Sequence, residues 1–226
     1  MIRSLPDDYM KLKAEYDSIQ YYDTGVEVIQ KTFSDRIVCG SVYLFVAATG
    51  VGKTTLLLST AKADSRAHPN RKILFITTEQ ALCMLIPYFD EYDNIKFGTS
   101  INDFVDDEIT HYDAIYYDYI ASEVQDGMDD WSGILSIATK IANYAKDTRT
   151  PIFTAAQATY DIATADNDEL RSTKFVAYSK GIVNKVAGAA YLLKDGNAIT
   201  FKNRYGIIPV NRIHYDLNYE LKTFLI

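Results

Sequence analysis

The chain has almost no cysteine, no long apolar run and no surplus of basic charge, and each shortage excludes something. Among 226 residues only Cys39 and Cys83 carry thiols. Both lie in apolar segments, which excludes a disulfide framework or a cysteine metal site and predicts reduced core thiols in a cytoplasmic protein. No stretch approaches the roughly 20 apolar residues of a transmembrane helix, and no secretory leader opens the sequence, so no membrane partner is expected. Lysine and arginine number 23 against 30 aspartates and glutamates, giving a formal charge of −7 and a pI near 5.0. A surface that coats nucleic acid uniformly is excluded; contact with DNA or RNA must be confined to a local patch or repeated around an oligomer. Internal repeats, low-complexity stretches and interdomain linkers are also missing. What is present is a 48% hydrophobic chain of a length that suits one globular domain. Its eighteen tyrosines are scattered and mostly alternate with aliphatics, as core and rim aromatics do.

Strand-like and helix-like segments alternate. Short apolar runs rich in β-branched and aromatic residues predict strands over Val42–Ala47, Lys72–Thr77, Ala114–Asp118 and Ile152–Ala156. Helices are expected over Lys53–Ala63, Ala81–Tyr88, Ile101–Ile109 and Ser132–Asp147, with Ser100 and Asp103 as the start of the third. Upstream, Asp7–Ile19 reads as a short helix with Tyr9, Leu12, Tyr16 and Ile19 in one stripe, and Val26–Phe33 as a second. Near the end, Tyr191–Lys194 and Ile199–Asn203 flank the turn signal "DGN", and "IHYDLNYELKTFL" suggests further antiparallel strands. The expected fold is α/β, a mainly parallel central sheet flanked by helices with antiparallel C-terminal strands.

The strongest local signal is "VYLFVAATGVGKTTLLLSTAKA". An apolar strand enters a glycine-bearing loop and an apolar-periodic helix leaves it. Glycines let backbone amides turn toward phosphate oxygens, the helix adds its positive end, Lys53 reaches the β- and γ-phosphates, and Thr54 offers a hydroxyl to Mg²⁺. Ala47 stands where this pattern usually has its first glycine. Downstream, "YDAIYYDYI" ends a hydrophobic strand in Asp118, placed to hold Mg²⁺ through water or merely to cap a turn. Glu79, after "ILFITT", could take a proton from an attacking water or simply sit in the first turn of a helix. Gln157, after "PIFTAA", is a neutral amide able to sense a γ-phosphate, or a loop glutamine. No Asn-Lys-x-Asp guanine motif is present, which points to ATP. In "AITFKNRYG", strand alternation puts Lys202 and Arg204 on one face.

In this order the motifs resemble the RecA-like P-loop NTPase motor of DnaB-type replicative helicases, including the short form that a phage might encode. The likeness runs from about Tyr22 to the C-terminus, carried by "YYDTGVEVIQKTF", the phosphate loop, "TTEQ", "IYYDYI", "AAQAT", "YSKGIVNKVAGAAYLL" and "FKNRYG". It implies a motor domain over 22–226 and an N-terminal helix over 1–21 that is a candidate docking linker to an adjacent subunit. Thr49, Gly50, Val51, Gly52, Lys53, Thr54 and Thr55 would bind ATP, with Thr54 and Asp118 on Mg²⁺. Glu79 would be the catalytic glutamate and Gln157 the link between phosphate state and DNA. Lys202 and Arg204 match the Lys-x-Arg-x-Gly element that reaches a neighbour's ATP. Single-stranded DNA would pass loops near Ala121–Trp131 and Ala158–Lys180, with Arg171, Lys174 and Lys180 as phosphate contacts. The implied assembly is a homo-oligomer, a hexameric ring in the cytoplasm of a bacterial or phage-infected cell, with primase or a helicase loader as further partners. Both loops are rich in acid, which leaves two alternatives open: a RecA-like recombinase filament, and an ATP-switched assembly protein that unwinds nothing.

Overall fold

The computed structural model describes residues 5–100, 102, 111–120, 130–177 and 180–224. Helices α1 (Leu5–Asp17) and α2 (Glu27–Thr32) precede β1 (Val42–Ala47) and α3 (Lys53–Ala67). Then come β2 (Ile73–Thr77), a 3₁₀ turn at Leu82–Met84, α4 (Ile86–Phe89), β3 (Ile95–Gly98) and β4 (Ala114–Asp118). Helix α5 (Asp130–Thr148), β5 (Ile152–Gln157), α6 (Lys180–Lys185), β6 (Gly188–Leu192) and β7 (Asn197–Asn203) follow. Short strands β8 (Ile213–His214), β9 (Leu217–Asn218) and β10 (Thr223–Phe224) end the described chain.

The first eight strands form one sheet in the order β3-β2-β4-β5-β1-β6-β7-β8. The pairs from β3 to β6 are parallel, and β7 and β8 join antiparallel. Strands β1, β2, β4 and β6 are buried along their whole length, which is why they read as unbroken apolar runs. Tyr43, Tyr116, Tyr117 and Tyr191 are fully buried, so a good share of the tyrosines serves the core.

Four expectations need correction. Helix Ala81–Tyr88 is instead a 3₁₀ turn followed by the four-residue α4. Pro87 has no N–H for the residue-83 carbonyl and its ring crowds that carbonyl, so the helix restarts at Ile86 with the proline in its first turn. As a result Cys83 is exposed, not a core thiol, and Cys39 is half-buried. Strand β3 was not legible in the sequence, being four residues long with an exposed middle pair. Helix α3 runs to Ala67 and stops before Pro69, one turn beyond the expected end. The Ile101–Ile109 helix lies outside the described residues.

The extra turn of α3 has a physical cause. Asp64, fully buried, accepts hydrogen bonds from Tyr22 Oη at 2.5 Å and Tyr116 Oη at 2.8 Å, and pairs with Arg71 at 2.9 Å. Arg71 also stacks over the Tyr22 ring and donates to the Asp23 carbonyl. One carboxylate thereby ties the N-terminal lead-in, α3 and β4 together. Replacing it by asparagine leaves the partly buried Arg71 guanidinium unpaired, so Asp64→Asn should lose about 3 kcal/mol, whereas Tyr22→Phe should lose about 1 kcal/mol. Urea midpoints at unchanged slope would measure both, and equal losses would show that the carboxylate is not the centre of the knot.

Candidate nucleotide-binding site

The ends of β1, β2, β4 and β5 meet at one edge of the sheet. Register pairs Ala47 with Gln157 and Thr77 with Asp118, so the residues that follow each strand leave at the same level. After β1 the chain turns through Gly50 at φ 78° and Gly52 at φ 104°, values that L side chains rarely adopt. A Cβ on Gly50 would meet nothing within 4 Å, while one on Gly52 would come within 2.9 Å of the Tyr219 ring. Gly52 also precedes α3 without any side-chain cap, leaving the helix's first amides free for an anion. Ala47 is fully buried and its methyl is accommodated.

Lys53 Nζ donates to Gln157 Oε1 at 3.0 Å, and Gln157 Nε2 donates to Thr49 Oγ1 at 2.7 Å. Lysine, amide and loop hydroxyl form a short relay across the cavity floor. Burial lowers the Lys53 pKa, and the carboxylates of Glu79 and Asp118 partly offset it. Asp118 is wholly buried, and neither side-chain oxygen has a hydrogen-bond partner among the described residues. Burial pushes its carboxyl up to about 6; the nearby Thr54 hydroxyl lowers it, Glu79 raises it and Lys53 lowers it. Glu79 is exposed and lines the cavity. It is placed by Thr78, whose backbone and hydroxyl bond to the Asp118 and Tyr119 carbonyls, pinning the exit of β2 to that of β4.

These residues surround a cavity of about 800 Å³ that includes Thr49, Lys53, Thr54, Glu79 and Gln157. Two tyrosines were not singled out in the sequence. The Tyr119 ring lies 5.9 Å from Lys53 Nζ, and Tyr219 Oη donates to the Val51 carbonyl at 3.1 Å. Tyr119 was visible as the residue after an acidic strand end. Tyr219 arrives from the far end of the chain through the β9–β10 hairpin, and no local spacing announces it.

The structure leaves the other candidates elsewhere. Lys202 and Arg204 come together, as alternation predicts, on the Val183 and Asn184 carbonyls at the end of α6. Burial and the Arg204 charge lower the Lys202 pKa. Asn203 pairs with Gly188, and Gly188 with Tyr43, so the two cations sit about 13 Å below the end of β1, four residues at ~3.3 Å each. Arg171 donates to the Pro209 and Val210 carbonyls, and Lys174 pairs with Glu169 at 2.7 Å. Ala121–Trp131 lies mostly outside the described residues, and the Lys180 side chain lies outside them too.

A parallel sheet whose first strand feeds a glycine loop and a helix, with a strand ending in a buried acid one position beyond its β5 neighbour, defines a RecA-like P-loop NTPase fold. Residues 19–178 match the family model described as type III restriction enzyme, res subunit, and the chain belongs to that family. The fold is shared over the full chain with the ATPase domain of G40P (TM-score 0.76, 14% identity, 99% of that chain). A DnaB-like replicative helicase, solved for its interactions with primase, matches at TM-score 0.77 and 14% identity, with 67% of its chain covered. A KaiC-like protein of Pyrococcus horikoshii OT3 matches 92% of this chain at TM-score 0.68 and 14% identity. In sequence, DNA repair protein RadA of Mycolicibacterium smegmatis is 36% identical over 62 residues, 27% of this chain and 13% of that relative's length.

The donor set fits a hydrated divalent cation: an orphaned, buried carboxylate next to a hydroxyl that opens a phosphate-binding helix. The same carboxylate is a stability liability. In the unfolded chain it ionises near its ordinary 3.8, whereas in the fold it keeps its proton until about 6. Its contribution is fully favourable below 3.8, is lost as pH rises through 6, and above that leaves a deficit of about 3 kcal/mol. Asp118→Asn should therefore stabilise the nucleotide-free protein by about that amount at pH 7.5 and hardly at pH 4, while weakening Mg²⁺-nucleotide binding. Thermal melts of both proteins across pH, beside a nucleotide titration, test the pair of effects.

Proposed function

We propose that this chain is the ATP-hydrolysing motor of a ring-forming, Mg²⁺-dependent helicase that moves along single-stranded DNA. The observation that carries the reading is the buried, unpartnered Asp118 carboxylate near Thr54, at the same sheet edge as the Lys53–Gln157 hydrogen bond. Loop amides and Lys53 bind the β- and γ-phosphates; the Thr54 hydroxyl and the Asp118 carboxylate would hold Mg²⁺, which when bound supplies positive charge to the phosphate oxygens. Glu79 accepts a proton from the attacking water. A γ-phosphate that draws Lys53 away frees Gln157 from its ammonium partner, so the end of β5 registers the nucleotide state. From there the chain runs into the segment holding Arg171, Lys174 and Lys180, the proposed DNA contacts.

Lys202 and Arg204 lie too far down the sheet to serve their own phosphate loop, and neither makes an ion pair among the described residues. We assign them to the ATP of an adjacent subunit, where they offset charge on the transferred phosphoryl. Helix α1, with Tyr9 55% and Tyr16 64% exposed, is proposed as the docking linker. No helix among the described residues is long and apolar enough to cross a membrane; a cytoplasmic ring acting with primase or a loader follows from the motor reading. The second reading, an ATP-switched assembly protein indifferent to DNA, is favoured by one observation: Arg171 and Lys174 are engaged by carbonyls and by Glu169.

Glu79→Gln should bind ATP with affinity within a few-fold of the parent and lose at least about 10²-fold in turnover, since a positioned general base contributes that much. Steady-state hydrolysis with and without single-stranded DNA measures it, and stimulation by DNA in the parent separates the two readings. Arg204→Ala should lose on the order of 10³-fold with ATP affinity spared. Mixing it with Lys53→Ala protein should restore part of the turnover, and no recovery at any ratio would remove the cation from a role in trans.

A further inference from the structure

The sheet ends in two unlike edges, and each carries an apolar patch. At the β3 edge, the connection from β2 exposes Met84 at 65% and Ile86 at 57%, and Phe97 on β3 packs against Phe89 of α4. At the opposite edge, the loop between β7 and β8 exposes Ile207 and Val210, each at 81%, with Ile208 beside them. Isolated exposed apolar residues are ordinary; two clusters at opposite ends of one sheet are not.

The second patch is held ready. Ser34 Oγ and Asn203 Nδ2 both donate to the Ile207 carbonyl, at 2.5 and 3.3 Å, and Arg171 donates to the Pro209 and Val210 carbonyls. The loop backbone is fixed by hydrogen bonds from partly buried residues while the Ile207 and Val210 side chains stay exposed, an arrangement that lowers the entropy lost on docking. Charge differs between the edges as well. From Glu79 to Gly98 the chain carries Glu79, Asp90, Glu91 and Asp93 against Lys96, with Glu91 3.9 Å from Arg66; from Lys202 to Arg212 it carries Lys202 and Arg204, with Arg212 paired to Asp195 at 3.0 Å, and no acid.

We infer that the Ile207–Val210 loop of one copy docks on the Met84–Ile86–Phe97 surface of the next. The contact is heterologous, because each copy presents its loop at one edge and its receptor at the other. Such contacts repeat around a ring or along a filament. The acidic and basic edges fix the orientation. The loop begins at Arg204, and the receptor begins five residues after Glu79. Docking therefore carries the cation toward the neighbour's nucleotide cavity. That last consequence rests on the motor reading; the contact itself does not.

Cys83, exposed within the receptor, provides the test without an added probe there. Ile207→Cys and Val210→Cys, made singly, should each give a ladder of disulfide-linked oligomers under mild oxidation. The ladder should vanish when Cys83→Ser is added to the same chain. As a second readout, the double variant Ile207→Asp, Val210→Asp should sediment as a monomer at concentrations where the parent assembles. Absence of a ladder from both cysteine variants, a ladder that survives Cys83→Ser, or unchanged assembly of the double variant would overturn the contact. A ladder together with full turnover in Arg204→Ala would uphold the contact and remove Arg204 from catalysis. Lost turnover in Arg204→Ala without any ladder would do the reverse.

Discussion

Parallel pairing of β1, β5, β4 and β2 is the constraint from which the site follows. Because Ala47 lies level with Gln157 and Thr77 level with Asp118, the residues just past each strand share one edge without any contact having to seek them out. Parallel strands require crossovers; the return from β1 passes through α3 and that from β4 through α5, and α3 begins where its free amides face that edge. A slip of one residue in β4 would turn Asp118 to the other face, away from Thr54. The Asp64 knot guards against this. Tyr116 lies two residues before Asp118, and its bond to Asp64 fixes β4 relative to the helix that carries Lys53 and Thr54. Core packing and site geometry are thus one arrangement, read at two ends of α3.

That arrangement holds groups in states that folding alone would not select. Asp118 is buried without a partner, Lys53 is partly desolvated, and Gly52 takes a backbone conformation closed to other residues. For the carboxylate and the ammonium the cause is desolvation, which disfavours their charged forms; glycine takes the Gly52 conformation without such a cost. Perturbed titratable groups gathered in one cleft are what a functional site requires. Lys53, partly desolvated, makes its hydrogen bond to the Gln157 amide and forms no ion pair among the described residues.

Much of this was legible in the sequence, for definite reasons. The phosphate loop could be read because glycine, lysine and threonine are each demanded by local backbone chemistry at fixed spacing. Buried parallel strands could be read because both faces are apolar, as in Val42–Ala47 and Ala114–Asp118. Strand β3 escaped because an edge strand four residues long carries no such run, and the 81–88 segment misled because its apolar spacing outweighed Pro87. Cys83 was placed in the core from its neighbours, yet the broken helix turns it outward. Tyr219 and the two tyrosine partners of Asp64 are contacts across 168 and 42 or more residues, and pairwise proximity of that kind leaves no mark in one sequence.

The direction of β7 closes the argument about assembly. Had the strand after β6 joined in parallel, the end bearing Lys202 and Arg204 would have lain at the phosphate edge, and one chain could have furnished every charge. A hairpin around Gly196 makes it antiparallel instead and sends both cations to the opposite end, onto the carbonyls that close α6. Those carbonyls orient the pair without neutralising it, since a helix end offers partial charges and no carboxylate. A protomer so built has an anion site lined at one level and unspent positive charge at another. In the proposed motor the two meet between copies, and the proposed contact between opposite sheet edges would bring them together without refolding either.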